Sequence, residues 1–271
     1  MLWRLMRLWL NMDSTYEINK ADIARSFGRA ASTYDGYAGL QQKVGHQLMS
    51  RLPESAYKVM DLGCGTGFFT PHLAKHFTDA EMIGLDIAQG MLDHCQQQHG
   101  DLAQWICGDA ENLPLADNSL DVIFSSLAIQ WCHQFPNVLS EALRVLKPGG
   151  SFVFSTLGPK TLFELRDAWS HVDNYQHVNR FVPVSDMQQA INEAGYSATN
   201  VAVEYEIQQY KALKELTTEL KKLGAHNLTQ GRNTHLTGSQ RIKGLLQAYE
   251  QHRQDGWLPA TYEVVYGVLV K

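Results

Sequence analysis

An α/β fold on a doubly wound, mostly parallel seven-stranded sheet with an antiparallel last strand is predicted by three features of this 271-residue sequence. A short apolar run, Val59 to Leu62, contains an acid and opens into glycines at 63, 65 and 67 before an apolar helix-like stretch. Further apolar runs of strand length follow, most ending at or beside an acid and separated by helical segments, the alternation that marks a parallel sheet. Near the C-terminus, Thr199 to Gln208 and Tyr262 to Val270 alternate or run apolar and complete the strands as an antiparallel edge pair.

In chain order, the first eleven residues include Trp3, Leu8, Trp9 and Leu10 and superficially resemble a targeting segment. Arg4 and Arg7 break any apolar core, and no small-residue cleavage site follows. An amphipathic arm and a true start at Met12 both fit, and the segment is assigned no function. Asn19 to Phe27 and Gln41 to Leu52 read as helices flanking a stretch with Tyr34, Gly36 and Tyr37. The doubly wound core is expected from Tyr57 to about Thr156. Within it, Asn137 to Lys147 sets Val138, Leu139, Ala142, Leu143, Val145 and Leu146 largely on one helical face, with Pro148-Gly149-Gly150 as the stop. Ser151 to Thr156 is the fifth strand, and Asp186 to Ala194 the next helix, ended by Gly195. Between the last two strands, Tyr210 to Trp257 exceeds any hairpin loop and holds helical stretches at Ala212 to Leu223 and Ser239 to His252. Connections of that size tend to be functional.

Glycine has no Cβ, so the three at 63, 65 and 67 let the chain turn sharply and let a ligand lie against backbone N–H groups at a helix start. A dinucleotide fingerprint would place its third glycine at 68, beside the pyrophosphate. Phe68 stands there, followed by Phe69. G-x-G-x-G with Asp61 two residues upstream suits a ligand without phosphate, which points toward S-adenosylmethionine. Met82 to Asp86 ends in a carboxylate about 20 residues past the glycines, where an acid accepts both ribose hydroxyls, so Asp86 is the expected ribose clamp. Ala103 to Cys107 leads into Gly108-Asp109-Ala110, which sets Asp109 at a strand end for an adenine amino group, and Ile87 and Met91 are expected to flank the base. Leu120 to Ser126 carries Asp121 near its start and runs into Leu127-Ala128-Ile129-Gln130-Trp131. The expected cofactor set is Asp61, Gly63, Gly65, Gly67, Asp86, Ile87, Met91, Asp109, Ala110 and Ser126. Each acid alone also reads as a turn former; the series is what points to a ligand.

A net charge of −5 and a pI near 6.1 do not suit a general nucleic-acid binder. No apolar run approaches the ~20 residues of a membrane span. Cys64, Cys95, Cys107 and Cys132 form neither a C-x-x-C pair nor a secreted-type framework, so a reducing cytoplasm is the simplest compartment. His94, Cys95 and His99 lie on a polar helix-like stretch that reads as surface helix, without a convincing fourth ligand, and no metal is expected. The insertion carries Lys211, Lys214, Lys221, Lys222, Arg232, Arg241, Lys243 and Arg253 against Glu215, Glu219, Glu250 and Asp255. A basic cap on an acidic body suggests an acidic partner, with a solvated helix face as the plain alternative.

The D-L-G-C-G-T-G loop, Asp86, G-D-A-E at 108–111 and L-R-V-L-K-P-G-G at 143–150 resemble the class I S-adenosylmethionine-dependent methyltransferases, whose sheet is Rossmann-like. I-A-R-S-F-G-R-A-A-S-T-Y-D (23–35), S-L-A-I-Q-W-C (126–132), S-T-L-G-P-K-T-L-F-E-L (155–165), H-V-N-R-F (177–181), L-G-A-H-N-L (223–228) and L-P-A-T-Y-E-V-V-Y-G (258–267) narrow the resemblance to the malonyl-acyl-carrier-protein O-methyltransferases of biotin synthesis. The likeness covers nearly the whole chain after the arm. It implies methylation of the free carboxyl of a malonyl thioester, a mask that lets fatty-acid synthesis elongate it, with S-adenosylmethionine as donor and S-adenosylhomocysteine as product. It also implies an N-terminal segment and helical lid over residues 1–56, a methyltransferase domain over 57–271 with its insertion at about 210–257, and an acidic carrier protein docked on Lys211, Lys214, Lys221, Lys222, Arg232, Arg241 and Lys243.

Such chemistry makes few demands on side chains. A carboxylate is already ionised near neutral pH, its reference pKa being ~4, so the reaction needs alignment and exclusion of water rather than a strong base. A desolvated anion still needs a partner. Arg180 in H-V-N-R-F is the first candidate, since a guanidinium forks a carboxylate and fixes its plane. Arg166 is the alternative anchor, and a surface ion pair is the plain reading of either. Tyr34 is expected to orient the acceptor or touch the methionine end of the cofactor, with a packing tyrosine as the alternative. Gln130 and Trp131 follow the fourth strand at the end where open α/β sheets hold ligands, and Trp131 is expected to wall the acceptor pocket. Fold does not fix the acceptor, so another small carboxylic acid, a quinone precursor, or cofactor binding without catalysis are the rival readings.

Overall fold

The computed structural model describes residues 19–225 and 238–271; the first eleven residues and Arg232 fall outside them. The chain opens with α1 (Lys20–Tyr34) and α2 (Gly39–Met49), then alternates β1 (Lys58–Leu62), α3 (Thr70–His76), β2 (Glu81–Asp86), α4 (Gln89–His99), β3 (Gln104–Cys107) and β4 (Leu120–Ser126). After a 3-10 turn at Ile129–Trp131 come α5 (Phe135–Val145), β5 (Leu146–Leu157), α6 (Phe163–Ser170), α7 (Val184–Ala194) and β6 (Ala198–Tyr210). The insertion supplies α8 (Leu213–Lys222) and α9 (Ser239–Glu250) before β7 (Leu258–Val270).

The strands form one sheet in the order β3-β2-β1-β4-β5-β7-β6. β1 to β5 pair in parallel, while β7 lies between β5 and β6 and runs antiparallel to both. The expected antiparallel pair is therefore present, with β6 as the outer strand. Central strands are apolar on both sides because helices cover both faces. Residues of α2, α3, α6, α8 and α9 pack on one face and those of α5 and α7 on the other. Strand order reverses between β1 and β4, and a crevice outside the carboxyl ends of such strands is where open α/β sheets take ligands.

Several boundaries differ from the sequence reading. α1 continues seven residues past Phe27 to Tyr34, because Ala30, Ala31 and Tyr34 extend the inner face begun by Ile23 and Phe27. α2 starts at Gly39 and stops at Met49, just before Pro53. Pro148-Gly149-Gly150 does not stop a helix: α5 has already ended at Val145, and these residues lie inside β5, where Leu146 pairs with Leu120 across a register shift. α6 was not foreseen. Its N-cap residue, Leu162, sits at φ +53 without a side-chain cap, so the sequence carries no helix-start signal there. Among the described residues no helix is long and apolar enough to cross a membrane.

Candidate active site

The chain leaves β1 through a turn in which Gly63, Gly65 and Gly67 take φ of +70°, +56° and +77°, values that side chains with a Cβ rarely adopt. Gly63 N and Cys64 N both donate to Leu85 O, at 2.7 and 3.1 Å, which ties the turn to β2. Asp86 completes the tie: its Oδ2 accepts from Gly65 N at 2.9 Å and its Oδ1 from Ala88 N at 2.8 Å. Burial pushes the Asp86 carboxyl above its ordinary pKa, opposed by the N–H groups of Ala88, Gly65 and Ile87. An ionised carboxylate offers about four lone-pair sites, so these backbone bonds still leave Asp86 able to accept from a ligand.

A cavity over this turn is lined by Gly63, Gly65, Asp86, Ile87, Met91, Asp109, Ala110 and Ser126, eight of the ten expected cofactor residues. Asp61 lines a smaller cavity beyond the turn, shared with Tyr34, Gln41, Gly63, Gly65 and Ser126. Its carboxylate is buried and accepts from Thr70 Oγ1 at 2.7 Å; burial, with the Asp86 charge adding to it, pushes its pKa up to about 7 despite that bond. Gly67 lines none of these cavities. It faces α4, where an added Cβ would come within 2.9 Å of the His99 ring and 3.1 Å of Cys95 Sγ. Cys95 is fully buried and donates to Gly65 O at 3.1 Å, so the stretch read as surface helix has a core-facing side.

At the far end of the first cavity Asp109 already has a partner. Lys20 Nζ, from α1, donates to Asp109 Oδ2 at 2.6 Å and also pairs with Glu111. Burial alone would raise the Asp109 carboxyl, but the hydrogen bond and charge of Lys20 outweigh it and hold the pKa below the usual range. Glu111 in turn accepts from the backbone of His133 and Gln134 at the start of α5.

A second chamber adjoins the first across Phe27, Tyr34, Leu127 and Trp131, which line both. Trp131 meets Phe27 edge-on at 5.2 Å between centroids. Gln130 is fixed at both ends, with Nε2 donating to Leu127 O at 2.7 Å and Oε1 accepting from Thr156 Oγ1 at 3.5 Å. Burial raises the Tyr34 phenol above its normal pKa, with the charges of Asp86 and Asp35 adding to it, so the hydroxyl stays protonated. Further walls come from Leu162 and Leu165, from His177, Val178, Asn179 and Phe181, and from Leu220 and Ala225 of the insertion. No carboxylate belongs to the described lining of this chamber.

The two arginines lie differently from the sequence reading. Arg180 is exposed and is not among the lining residues, although Val178, Asn179 and Phe181 around it are. Arg166 Nη2 donates to Pro159 O and Thr161 O at 2.8 and 2.7 Å, so it braces the loop after β5. Sequence reasoning missed Lys20, Phe27, Gln41 and the insertion residues as site members. The spacing of Ile23, Phe27 and Tyr34 on one face of α1 was the available signal. On the insertion, Lys211, Lys214, Lys221, Lys222 and Lys243 are exposed; Lys211 Nζ lies 3.3 Å from the centroid of the Trp257 ring, and Arg241 is 3.9 Å from Asp173. Among the described residues, no three His, Cys, Asp or Glu side chains converge as metal ligands would.

A family model described as "Methyltransferase domain" matches residues 60–154. The biotin biosynthesis bifunctional protein BioHC of Cellvibrio japonicus is 52% identical over 256 residues, covering 94% of this chain and 51% of that protein. The malonyl-acyl-carrier-protein O-methyltransferase of a Methylovorus species is 41% identical over 263 residues, covering 93% of this chain and 89% of that one. The chain therefore spans about half the length of the bifunctional relatives and most of the length of the others. Among solved structures, the YcgJ protein of Bacillus subtilis has a TM-score of 0.59 at 19% identity, covering 85% of this chain and 98% of that one, a likeness of fold.

Proposed function

The chain belongs to the malonyl-acyl-carrier-protein O-methyltransferase family, and on that premise we propose that it esterifies the free carboxylate of a malonyl group held on acyl-carrier protein, with S-adenosylmethionine as methyl donor. The observation that carries this reading is the pair of cavities meeting at Phe27, Tyr34, Leu127 and Trp131. One side offers glycines and acids suited to a cationic nucleoside. The other has no carboxylate among its described lining residues, so an anionic acceptor meets no like charge there.

The residues fit the cofactor by their own chemistry. Gly63 and Gly65 offer bare backbone, Asp86 has lone pairs left for ribose hydroxyls, and Ile87, Met91 and Ala110 give apolar walls for a purine whose amino group faces Asp109. When bound, S-adenosylmethionine supplies a methyl carbon activated by positive sulfur. The chain supplies placement: α1 and α2 act as a lid, Phe27 and Leu127 exclude water, and Tyr34, Gln130 and Trp131 orient the acceptor. Arg180, exposed in the 177–181 segment that borders the chamber, is the proposed partner of the malonyl carboxylate. Arg180→Ala should therefore weaken turnover of malonyl substrates and spare cofactor affinity.

An acidic carrier protein would dock on the exposed lysines of the insertion, where complementary charge speeds encounter more than it adds affinity. The test is kcat/KM for malonyl-acyl-carrier protein, malonyl-CoA and free malonate under one set of conditions. The carrier-bound thioester should lead. Equal turnover of free small acids would move the assignment to another carboxylate methyltransferase.

A further inference from the structure

Three glutamines of α2 differ in how their amides are satisfied. Gln42 donates Nε2 to Asp35 O at 3.2 Å. Gln47 donates to Glu206 at 3.3 Å and accepts from the Tyr266 hydroxyl. Gln41 has a buried Oε1 that meets no donor among the described residues. A buried acceptor left unpaired is costly, and such an atom in a cavity wall calls for a ligand donor.

Gln41 also occupies a particular place. It lines both the chamber assigned to the acceptor and the small cavity beyond the glycine turn, which it shares with Asp61, Tyr34 and Ser126. A nucleoside with its ribose on Asp86 and its base toward Asp109 would leave its amino-acid end for that small cavity, which shares Tyr34, Gly63, Gly65 and Ser126 with the first. The ammonium of this end carries only donors. The carboxylate being methylated carries only acceptors. One primary amide offers both an oxygen and an NH2 group, and so complements the two together.

We propose that Gln41 binds the α-ammonium of the cofactor through Oε1 and directs Nε2 into the acceptor chamber, where it donates to the carboxylate that receives the methyl group. This rests on the function proposed above and adds a single side chain that holds both reactants in register. Asp61 shares the small cavity and supplies the negative charge that an ammonium needs there.

Calorimetry with S-adenosylhomocysteine, which retains the ammonium, reads the first half without turnover. Gln41→Leu, similar in size but without polar atoms, should weaken binding about ten- to a hundred-fold, the range for a hydrogen bond to a charged group. Gln41→Glu retains the acceptor and adds negative charge. It should bind S-adenosylhomocysteine at least as tightly as the wild type, yet lose most of kcat/KM toward malonyl-acyl-carrier protein by repelling the carboxylate. Wild-type affinity in Gln41→Leu, or wild-type turnover in Gln41→Glu, overturns the proposal. Gln41→Glu carries the test even where Gln41→Leu does not fold. If the wild type binds S-adenosylhomocysteine but methylates no malonyl carrier, the function reading fails while calorimetry still decides the role of Gln41 toward the ammonium.

Discussion

Asp86 both shapes the glycine turn and lines the cavity over it: one carboxylate holds Gly65 and Ala88 by their N–H groups and still faces the cavity. Asp86→Ala is expected to lower S-adenosylhomocysteine affinity by roughly one to two orders of magnitude, and an unchanged Kd in calorimetry would remove Asp86 from the account. Asp61 carries a pH signature. Its folded pKa of about 7 lies above the ordinary carboxylate value, so between about pH 4 and that value the folded state holds a proton the unfolded chain has lost. Stability should fall as pH rises through that window, and Asp61→Asn should flatten the slope in denaturant titrations. Cofactor affinity should move the opposite way, rising with pH up to about 7 and levelling off above it, because a bound ammonium favours the ionised acid. Gly63, Gly65, Asp86 and Ser126 as cavity-lining residues were legible in the sequence because strand, turn and acid follow one another along the chain, whereas Gly67 turned out to face α4. Lys20 was not, because it meets Asp109 across 89 residues of sequence and only the fold joins them.

α1 reaches the site through its contact with α4. A Cβ on Gly90 would lie 2.9 Å from Gly28 O and 3.0 Å from Gly28 Cα, backbone atoms of α1 that cannot swing aside. Gly90→Ala separates two effects by magnitude. Helix propensity favours alanine by up to about 1 kcal/mol, whereas overpacking costs about 1–3 kcal/mol. Net destabilisation, faster amide exchange in α1 and a several-fold rise in cofactor Kd are expected; a raised Tm with unchanged affinity would show that the helices have room to part. Element types and order were largely readable from periodicity, while ends were less so. α1 overran its expected end because its apolar face continues to Tyr34, and β5 began early because pairing with β4 at Leu120 takes up Leu146. α6 stayed hidden because Leu162, in a left-handed conformation, introduces it with no capping side chain.

Across the whole molecule, the reversal of strand order between β1 and β4 sets the cavities, and β7, entering between β5 and β6, carries the chain back from the insertion whose Leu220 and Ala225 wall the second chamber. α8 is also tied to α1, since Ser26 Oγ donates to Gly224 O at 3.0 Å and Thr33 Oγ1 to Lys222 O at 3.3 Å. The basic insertion was visible as composition, but its part in the chamber was not, because Leu220 and Ala225 lie far along the chain from α1 and β4. Reversing the charge of Lys221 and Lys222 should raise KM for the carrier-bound substrate several-fold at low salt and blunt its salt dependence, with kcat little changed; an unchanged KM would place the dock elsewhere. The central claim, methyl transfer to a carrier-bound malonyl carboxylate, is tested most directly by intact-mass spectrometry of malonyl-acyl-carrier protein after incubation with the protein and S-adenosylmethionine. A gain of one methyl group is the expected result; a carrier of unchanged mass, in the presence of protein shown to bind the cofactor, would contradict it.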